Sequence, residues 1–262
     1  MAELPARYPW ESAYPDLWPV CGWCPSVNQP GIATLYDNCG FNQHGTLTNF
    51  NLATAWGDPN GLLFDGTNDF VDCGYRATLD VITQVTVAAW IKTTSTSIQC
   101  IFSNGLGGSL SGYAFEMGFN GATVPGCLGF WNGSSWKGTS TTVNSGTVRH
   151  VAVTNDGATS RFYIDGKPDT SVAHSAVVQQ LATKTSQKIG IREGSVQPFA
   201  GSIQEVSVYN RALDAGEIGQ LAQGIGLIYT PRDDSILQAQ SAGYQAWWRH
   251  RQQRIIGGGL GV

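Results

Sequence analysis

The sequence predicts an all-β protein built as a two-layer antiparallel sandwich. Composition is the first observation, because 33 glycines, 11% aromatic residues and only 13% charged residues suit strands and turns better than long helices. Length is the second, since 262 residues suit one large sandwich, a class that often exceeds about 200 residues. The third is alternation: over residues 112–119, Tyr113, Phe115, Met117 and Phe119 fall on one face, as in a half-buried strand.

Residues 1–31 form a predicted N-terminal arm. Prolines recur among tyrosines and tryptophans over residues 5–19, and proline fixes φ and removes a donor of the strand ladder. The aromatic side chains of such an extended arm need a surface to pack on. The arm therefore either lies across its own sandwich or docks on a neighbouring subunit, and both alternatives stay open.

Cysteines follow the arm. Cys21 and Cys24 form a C-x-x-C pair, and Cys39 and His44 supply further residue types that bind zinc. The second pair lacks the close spacing of a zinc site, however. We favour reduced, mostly buried thiols for the six cysteines, as in a reducing cytosol, over disulfides or zinc.

The middle of the chain alternates strands and turns. Residues 61–75 predict a hairpin, because Phe64 and Val71 lie on either side of an Asp65–Asn68 turn. Val85–Lys92 is β-branched and aromatic, as in a central strand. An Asn-Asp-Gly turn near Gly157 predicts a second hairpin over residues 149–164.

The last predicted elements are a closing strand within residues 199–209 and a short helix. Asp214 is a favourable N-cap for a helix over residues 215–222, and Gly224 suits its end.

Five stretches of the sequence form recognisable motifs: D-N-C-G-F-N-Q-H-G-T-L from Asp37, F-D-G-T-N-D-F-V from Phe64, V-T-V-A-A-W-I-K from Val85, H-V-A-V-T-N-D-G from His150 and F-A-G-S-I-Q-E-V-S-V-Y-N-R-A-L from Phe199. They resemble the motifs of laminin-G-like, concanavalin A-like jelly-roll domains. The resemblance implies a two-sheet jelly roll over residues 32–224, with the arm (1–31) before it and a basic, aromatic C-terminal tail (225–262) after it.

The same resemblance implies a structural calcium ion shared by the Asp37 loop and the closing strand. Its oxygen donors here are Asp37, Asn38, the backbone of Gly40, and Glu205. Gln204 stands where the family has an aspartate, which weakens charge neutralisation. The alternative is that Asp37 caps its own turn and no ion is bound.

The sequence predicts no catalytic residues. Glucanases of this fold class share an E-x-D-x-x-E strand that places two carboxylates on one face, and this sequence contains no such strand. It also contains no G-x-S-x-G nucleophile motif.

Glycan binding requires exposed aromatic surfaces with polar neighbours. Trp131 and Trp136 flank an Asn-Gly-Ser-Ser turn, and Tyr113 is a third candidate. The alternative is ordinary cross-strand packing of these rings.

The tail and the chain ends suggest a setting. No signal peptide is visible, no apolar stretch approaches the roughly 20 residues of a membrane span, and a net charge of −4 disfavours nucleic-acid binding. The tail residues expected to mediate assembly are Tyr244, Trp247, Trp248, Arg249, Arg251 and Arg254. Folds of this family normally act outside cells, whereas this chain lacks an export signal.

We therefore predict a non-catalytic phage virion protein, a capsid decoration or fibre-type module made in the host cytoplasm. It would bind other virion subunits, or itself, through the arm and tail. The alternative is a lectin-like carbohydrate-binding module, and the third hypothesis is a diverged glycoside hydrolase.

Overall fold

The computed structural model describes residues 19–25, 31–39, 43–58, 61–80, 83–105, 112–119, 121–177, 185–194 and 196–224. These residues belong to one compact unit, residues 17–228. Most of the predicted arm and the whole predicted tail, including the six assembly residues from Tyr244 to Arg254, lie outside the described residues.

The described strands form two antiparallel sheets. The first sheet contains, in spatial order, β1 (Cys21–Trp23), β15 (Ala200–Tyr209), β6 (Val85–Lys92), β11 (Arg149–Asn155), β12 (Thr159–Ile164) and β13 (Lys167–Ala173), and β4 (Leu62–Asp65) also pairs with β15. The second contains β10 (Trp136–Thr142), β9 (Thr123–Trp131), β8 (Tyr113–Phe119), β7 (Gln99–Asn104), β14 (Gln187–Ile189), β5 (Phe70–Asp72), β3 (Gly45–Thr48) and β2 (Thr34–Leu35). The helices are α1 (Leu52–Ala55), a 3₁₀ turn (Ala77–Leu79) and α2 (Ala215–Leu221).

The hydrophobic core lies between the two sheets and draws on both. Strand β6 shows how the sequence builds it, because Val85, Val87, Ala89 and Ile91 all belong to the core cluster. Successive side chains of a strand point to opposite faces, so the residues between them face away from the core. The predicted two-sheet antiparallel sandwich is confirmed.

The segment 61–75 differs from the predicted hairpin. Its turn forms as expected: the Asp65 carboxylate accepts the backbone N–H of Thr67 at 2.7 Å, and Gly66 has a φ of +80°. However, β4 pairs with β15 in the first sheet, whereas β5 pairs with β3 and β14 in the second. The turn is therefore a corner that carries the chain from one sheet to the other.

The second predicted hairpin is present. Strands β11 and β12 pair in register from Val151↔Ile164 to Asn155↔Ser160. The closing strand is β15, and α2 begins after the N-cap Asp214. The Asp214 side chain accepts the Glu217 N–H at 2.9 Å, and the Glu217 carboxylate accepts the Asp214 N–H at 2.9 Å, which makes a complete capping box.

Strand β1 lies within the segment predicted to be the arm. Cys21–Trp23 pairs with Val206–Val208 of β15, and Trp23 is completely buried in the core. This tripeptide contains no proline, so each of its residues has an N–H group that can join a sheet. The first sheet thus begins before residue 32.

Among the described residues, no helix is long and apolar enough to cross a membrane.

Candidate functional site

The Asp37 loop, between β2 and β3, is held by backbone hydrogen bonds to one carboxylate. Asp37 is 7% exposed; its Oδ1 accepts the N–H of Cys39 at 3.0 Å and of Gly22 at 3.4 Å, and its Oδ2 accepts the N–H of Gln43 at 3.2 Å. Gly22 belongs to β1 of the first sheet. The loop therefore ties the second sheet to the edge of the first.

The other predicted calcium ligands lie around this loop. Asn38 Oδ1 accepts the N–H of Cys24 at 2.9 Å, and the buried Glu205 lies near Cys39, whose pKa is raised by burial, then by Asp37 and, to a smaller extent, by Glu205. Gly40 lies outside the described residues.

Calcium takes six to eight oxygen ligands. In the described ranges no group of three or more His, Cys, Asp or Glu side chains is placed to hold a metal ion. The Asp37 contacts resemble the capping alternative, and the calcium ion stays a prediction.

All six cysteines are buried, and none of them forms a disulfide bond. Burial raises the pKa of Cys21, Cys39, Cys73 and Cys100 well above the ordinary value, and neighbouring carboxylates add to the effect at Cys39 and Cys100. Burial therefore favours the neutral thiol at these four positions.

Trp131 and Trp136 are brought together as a directly opposed cross-strand pair. Trp131 ends β9 and Trp136 begins β10, and their ring centroids lie 5.5 Å apart at an interplanar angle of 39°. Phe119 packs edge-on against Trp136 at 5.4 Å. Both indoles are only half-buried, so the pair contributes a partly exposed aromatic surface beside the hairpin turn.

The turn between the two tryptophans is fixed by Asn132, which is completely buried. Its Oδ1 accepts the N–H groups of Ser134 and Ser135 at 3.0 and 2.9 Å, and its Nδ2 donates to the carbonyl and the hydroxyl of Ser175, both at 2.9 Å. One side chain thus shapes the turn and anchors it to the segment after β13.

His174 braces the same turn. Its Nε2 lies 3.1 Å from the Ser135 carbonyl, which can only accept, so Nε2 carries the hydrogen and Nδ1 accepts from the Ser160 hydroxyl at 2.9 Å. Ser160 is completely buried and His174 is 4% exposed. This serine–histidine pair is therefore part of the packed interior, where a substrate has no access.

Tyr113 does not join the aromatic surface, and this prediction is corrected. It is 2% exposed, lies between Phe102 and Phe130, and donates its hydroxyl hydrogen to the Leu79 carbonyl at 3.1 Å. The hydrogen bond lets the phenol enter the core, which leaves no ring face for a glycan.

A cleft of about 400 Å³ lies at the β4, β15 and β6 strands of the first sheet. Its lining includes Asp58, Leu63, Lys92, Ser95 and Ser202. Sequence reasoning did not find it, because it depends on how three distant strands pair. The one local signal was Leu63, an apolar residue at an outward position between the core residues Leu62 and Phe64.

Asp58, Glu116 and Glu205 are three of the described acidic residues that a glycosidase could use. Glycoside hydrolysis normally uses two carboxyl groups about 5–9.5 Å apart. Asp58 is the one carboxylate among the described residues that line the cleft, and its Oδ2 accepts from Gln204 Nε2 at 3.1 Å. Glu116 and Glu205 lie in different sheets, on β8 and β15.

Glu116 is completely buried beside Arg192, whose Nη1 lies 3.4 Å from Oε1. Burial raises the pKa of Glu116 to about 7, and the guanidinium of Arg192 opposes that shift.

Comparison with solved structures shows the same fold in part of a larger protein. The sialidase of Trypanosoma rangeli, in complex with sialic acid, superposes with a TM-score of 0.56 at 19% sequence identity, over 82% of this chain and 34% of the sialidase. The CBM40 of the Ruminococcus gnavus IT-sialidase, bound to α2,3-sialyllactose, gives a TM-score of 0.48 at 20% identity, over 62% of this chain and 96% of that domain. This chain thus spans about a third of the sialidase.

Among curated proteins, no sequence matches the chain. A family model does: Laminin_G_3, the concanavalin A-like lectin/glucanases superfamily, matches residues 65–219. That range covers more than half of the chain and contains both tryptophans of the aromatic pair, and the chain belongs to this family.

Proposed function

We propose that this protein is a non-catalytic carbohydrate-binding module whose glycan contact is the Trp131–Trp136 surface. The observation that carries the proposal is that two half-buried indoles lie side by side on a turn that buried hydrogen bonds already hold in place. Aromatic rings bind the apolar C–H faces of sugars, and a preformed surface loses little entropy on binding.

Membership of a superfamily named for lectins and glucanases supports a glycan ligand. The presence of a single carboxylate among the described residues that line the cleft supports binding rather than hydrolysis. Cross-strand packing alone accounts for the contact between the rings. It does not require the indoles to remain partly exposed next to the exposed Ser134.

The test is a glycan array probed with the full chain and with Trp136→Ala. We expect binding of at least one glycan class, weakened about tenfold in the variant, and largely restored by Trp136→Phe. Tyr36→Ala is the matched control, because Tyr36 is 45% exposed and packs against His44 at a different loop.

Unchanged binding in Trp136→Ala would show that the glycan does not bind at this surface. Hydrolysis of a bound polysaccharide by the wild-type chain would contradict the non-catalytic assignment.

The phage virion hypothesis stays a prediction. It rests on the terminal arm and tail, and the described residues include neither the tail nor most of the arm.

A further inference from the structure

We infer that the cleft beside Lys92 is a second binding site, and that it takes an acidic sugar residue whose carboxylate pairs with the Lys92 ammonium. The inference rests on the proposed carbohydrate-binding function but places the ligand on a different sheet. It commits to a ligand that carries both a carboxylate and hydroxyl groups.

The strand register lines up three side chains across the sheet. Ser202 of β15 is directly opposite Leu63 of β4 on one side and Lys92 of β6 on the other. Directly opposed residues project to the same face. Their neighbours Leu62, Ile203 and Ile91 belong to the core, so the row Leu63–Ser202–Lys92 faces away from it.

The row has the length of one sugar residue with its substituents. Neighbouring strands lie about 4.8 Å apart, so the row extends about 10 Å from Leu63 to Lys92. The cleft above it measures about 400 Å³, which falls in the range of small-molecule sites.

Gly201 lets β15 and β6 approach closely beside the cleft. Its φ is +137°, and a Cβ at this position would lie 2.2 Å from the Lys92 carbonyl oxygen, so only glycine fits.

The three side chains offer different chemistry along the row. Lys92 is exposed, and its ammonium makes no ion pair or hydrogen bond with the part of the chain that the structure describes. Ser202 is 2% exposed, and its Oγ has no hydrogen-bond partner among the described residues. Leu63 is 39% exposed and supplies an apolar contact at the other end.

The Ser202 hydroxyl is itself covered by the protein, so Lys92 and Leu63 are the members of the row that a ligand can contact. A free ammonium favours an anion, and a leucine suits the C–H face of a sugar ring.

Asp58 favours an acidic sugar over a simple carboxylate as the ligand of the cleft. It lines the cleft from the segment before β4, and as a carboxylate it accepts hydrogen bonds and repels anions. A ligand with negative charge throughout is disfavoured there. A sugar acid suits both charged residues, because its carboxylate pairs with the Lys92 ammonium while its hydroxyls donate to the Asp58 carboxylate.

The experiment is calorimetric titration of the full chain with sodium D-glucuronate, D-glucose and sodium acetate. We expect glucuronate to bind at least about tenfold more tightly than either of the others, because only glucuronate carries both groups. Lys92→Gln should weaken glucuronate binding by about tenfold or more, since a charge-assisted hydrogen bond is lost. Lys167→Gln, an exposed lysine of β13, is the matched control and should bind as the wild type does.

The glycan array of Trp136→Ala tests the proposed function, and the glucuronate titration of Lys92→Gln tests this inference, so the two can fail separately. Equal binding of acetate and glucuronate, or an unchanged affinity in Lys92→Gln, would overturn the acidic-sugar site. Glucuronate binding that is lost in Trp136→Ala and kept in Lys92→Gln would also overturn it, while leaving the aromatic surface as the glycan contact. Glycan-array binding that disappears in Trp136→Ala, with no glucuronate binding at all, would support the proposed function alone.

Discussion

Glu116 has an ionisable side chain whose buried surroundings stabilise its negative charge poorly. Neither carboxylate oxygen accepts a hydrogen bond from the described residues, and Arg192 at 3.4 Å is its ion-pair partner. Burial raises the pKa of this carboxyl from 4.5 to about 7, and Arg192 reduces the rise without cancelling it. The folded protein therefore keeps Glu116 protonated at pH values where the unfolded chain has ionised it.

We predict that Glu116→Gln raises the free energy of unfolding, relative to the wild type, more at alkaline pH than at acid pH. At about pH 4 the Glu116 carboxyl is largely protonated in both the folded and the unfolded state, so its raised pKa costs no stability. As the pH rises through the ordinary pKa toward 7, the unfolded chain loses the proton first, so wild-type stability falls, and it levels off above the folded-state pKa. The variant lacks this loss, which amounts to at most on the order of 3 kcal/mol.

The measurement is the free energy of unfolding by urea at about pH 4 and about pH 8 for wild type and variant. Glu193→Gln is the control, because Glu193 forms a partly exposed ion pair with Lys188 at 2.8 Å. A difference between wild type and Glu116→Gln that is the same at both pH values would contradict the shifted pKa.

At the scale of single residues, alternation predicted which face a side chain occupies but not how a polar group is satisfied there. The pattern of residues 112–119 placed Tyr113 with Phe115 and Met117, and all three belong to the core. The prediction that Tyr113 contacts a glycan was wrong, because the Tyr113 hydroxyl donates to the Leu79 carbonyl, which lies in a turn 34 residues earlier. No local pattern contains that partner.

Among the elements, the β9–β10 hairpin depends most on one side chain. Asn132 makes its hydrogen bonds from a fully buried position, and its removal leaves the N–H groups of Ser134 and Ser135 and the Ser175 carbonyl without that partner. Unsatisfied buried groups are among the largest sources of mutational destabilisation.

We predict that Asn132→Ala destabilises the protein by about 2–4 kcal/mol and also weakens glycan binding, because the turn no longer holds the two indoles in place. Urea denaturation and the glycan array measure the two effects. Ser134→Ala in the same turn is the control and should change stability by less than about 0.5 kcal/mol, since its side chain is exposed. Normal stability in Asn132→Ala would show that the turn is held by other contacts.

Elements that depend on local chemistry were predictable, and elements that depend on distant partners were not. The β11–β12 hairpin and α2 follow from an Asn-Asp-Gly turn and from an Asp–Glu capping box. The Asp65 turn was equally recognisable. The strands on either side of this turn, however, pair with strands more than 100 residues away, β4 with β15 and β5 with β14. Turn chemistry does not specify such pairings.

For the whole molecule, the Asp37 loop matters because it joins the edges of both sheets. It accepts the Gly22 N–H of β1 while lying between β2 and β3. A bound calcium at this loop would act as a cross-link between the layers, and ligand binding to the folded state raises stability.

The calcium hypothesis predicts that EDTA lowers the thermal midpoint of the whole chain and that added Ca²⁺ restores it. Asp37→Asn should remove this response, because it takes away a charged oxygen donor. Differential scanning calorimetry with and without EDTA provides the measurement. An unchanged midpoint would exclude a structural calcium and leave Asp37 as the cap of its turn.

The fold class was predictable at this scale because it rests on composition, alternation and recurring motifs. The cleft was not, since Leu63, Lys92 and Ser202 are separated by up to 139 positions in the sequence and meet only through strand pairing. Their identities carry no motif. Only the register makes them neighbours.

The corner at Asp65–Asn68 has a consequence for biosynthesis. Because the turn sends β4 and β5 to opposite layers, β4 finds no neighbour until β15 has left the ribosome, and the same late strand completes one side of β6. Long-range pairings of this kind fold slowly and expose strand edges meanwhile. We therefore expect the nascent chain to expose the unpaired edges of β4 and β6 until β15 is released.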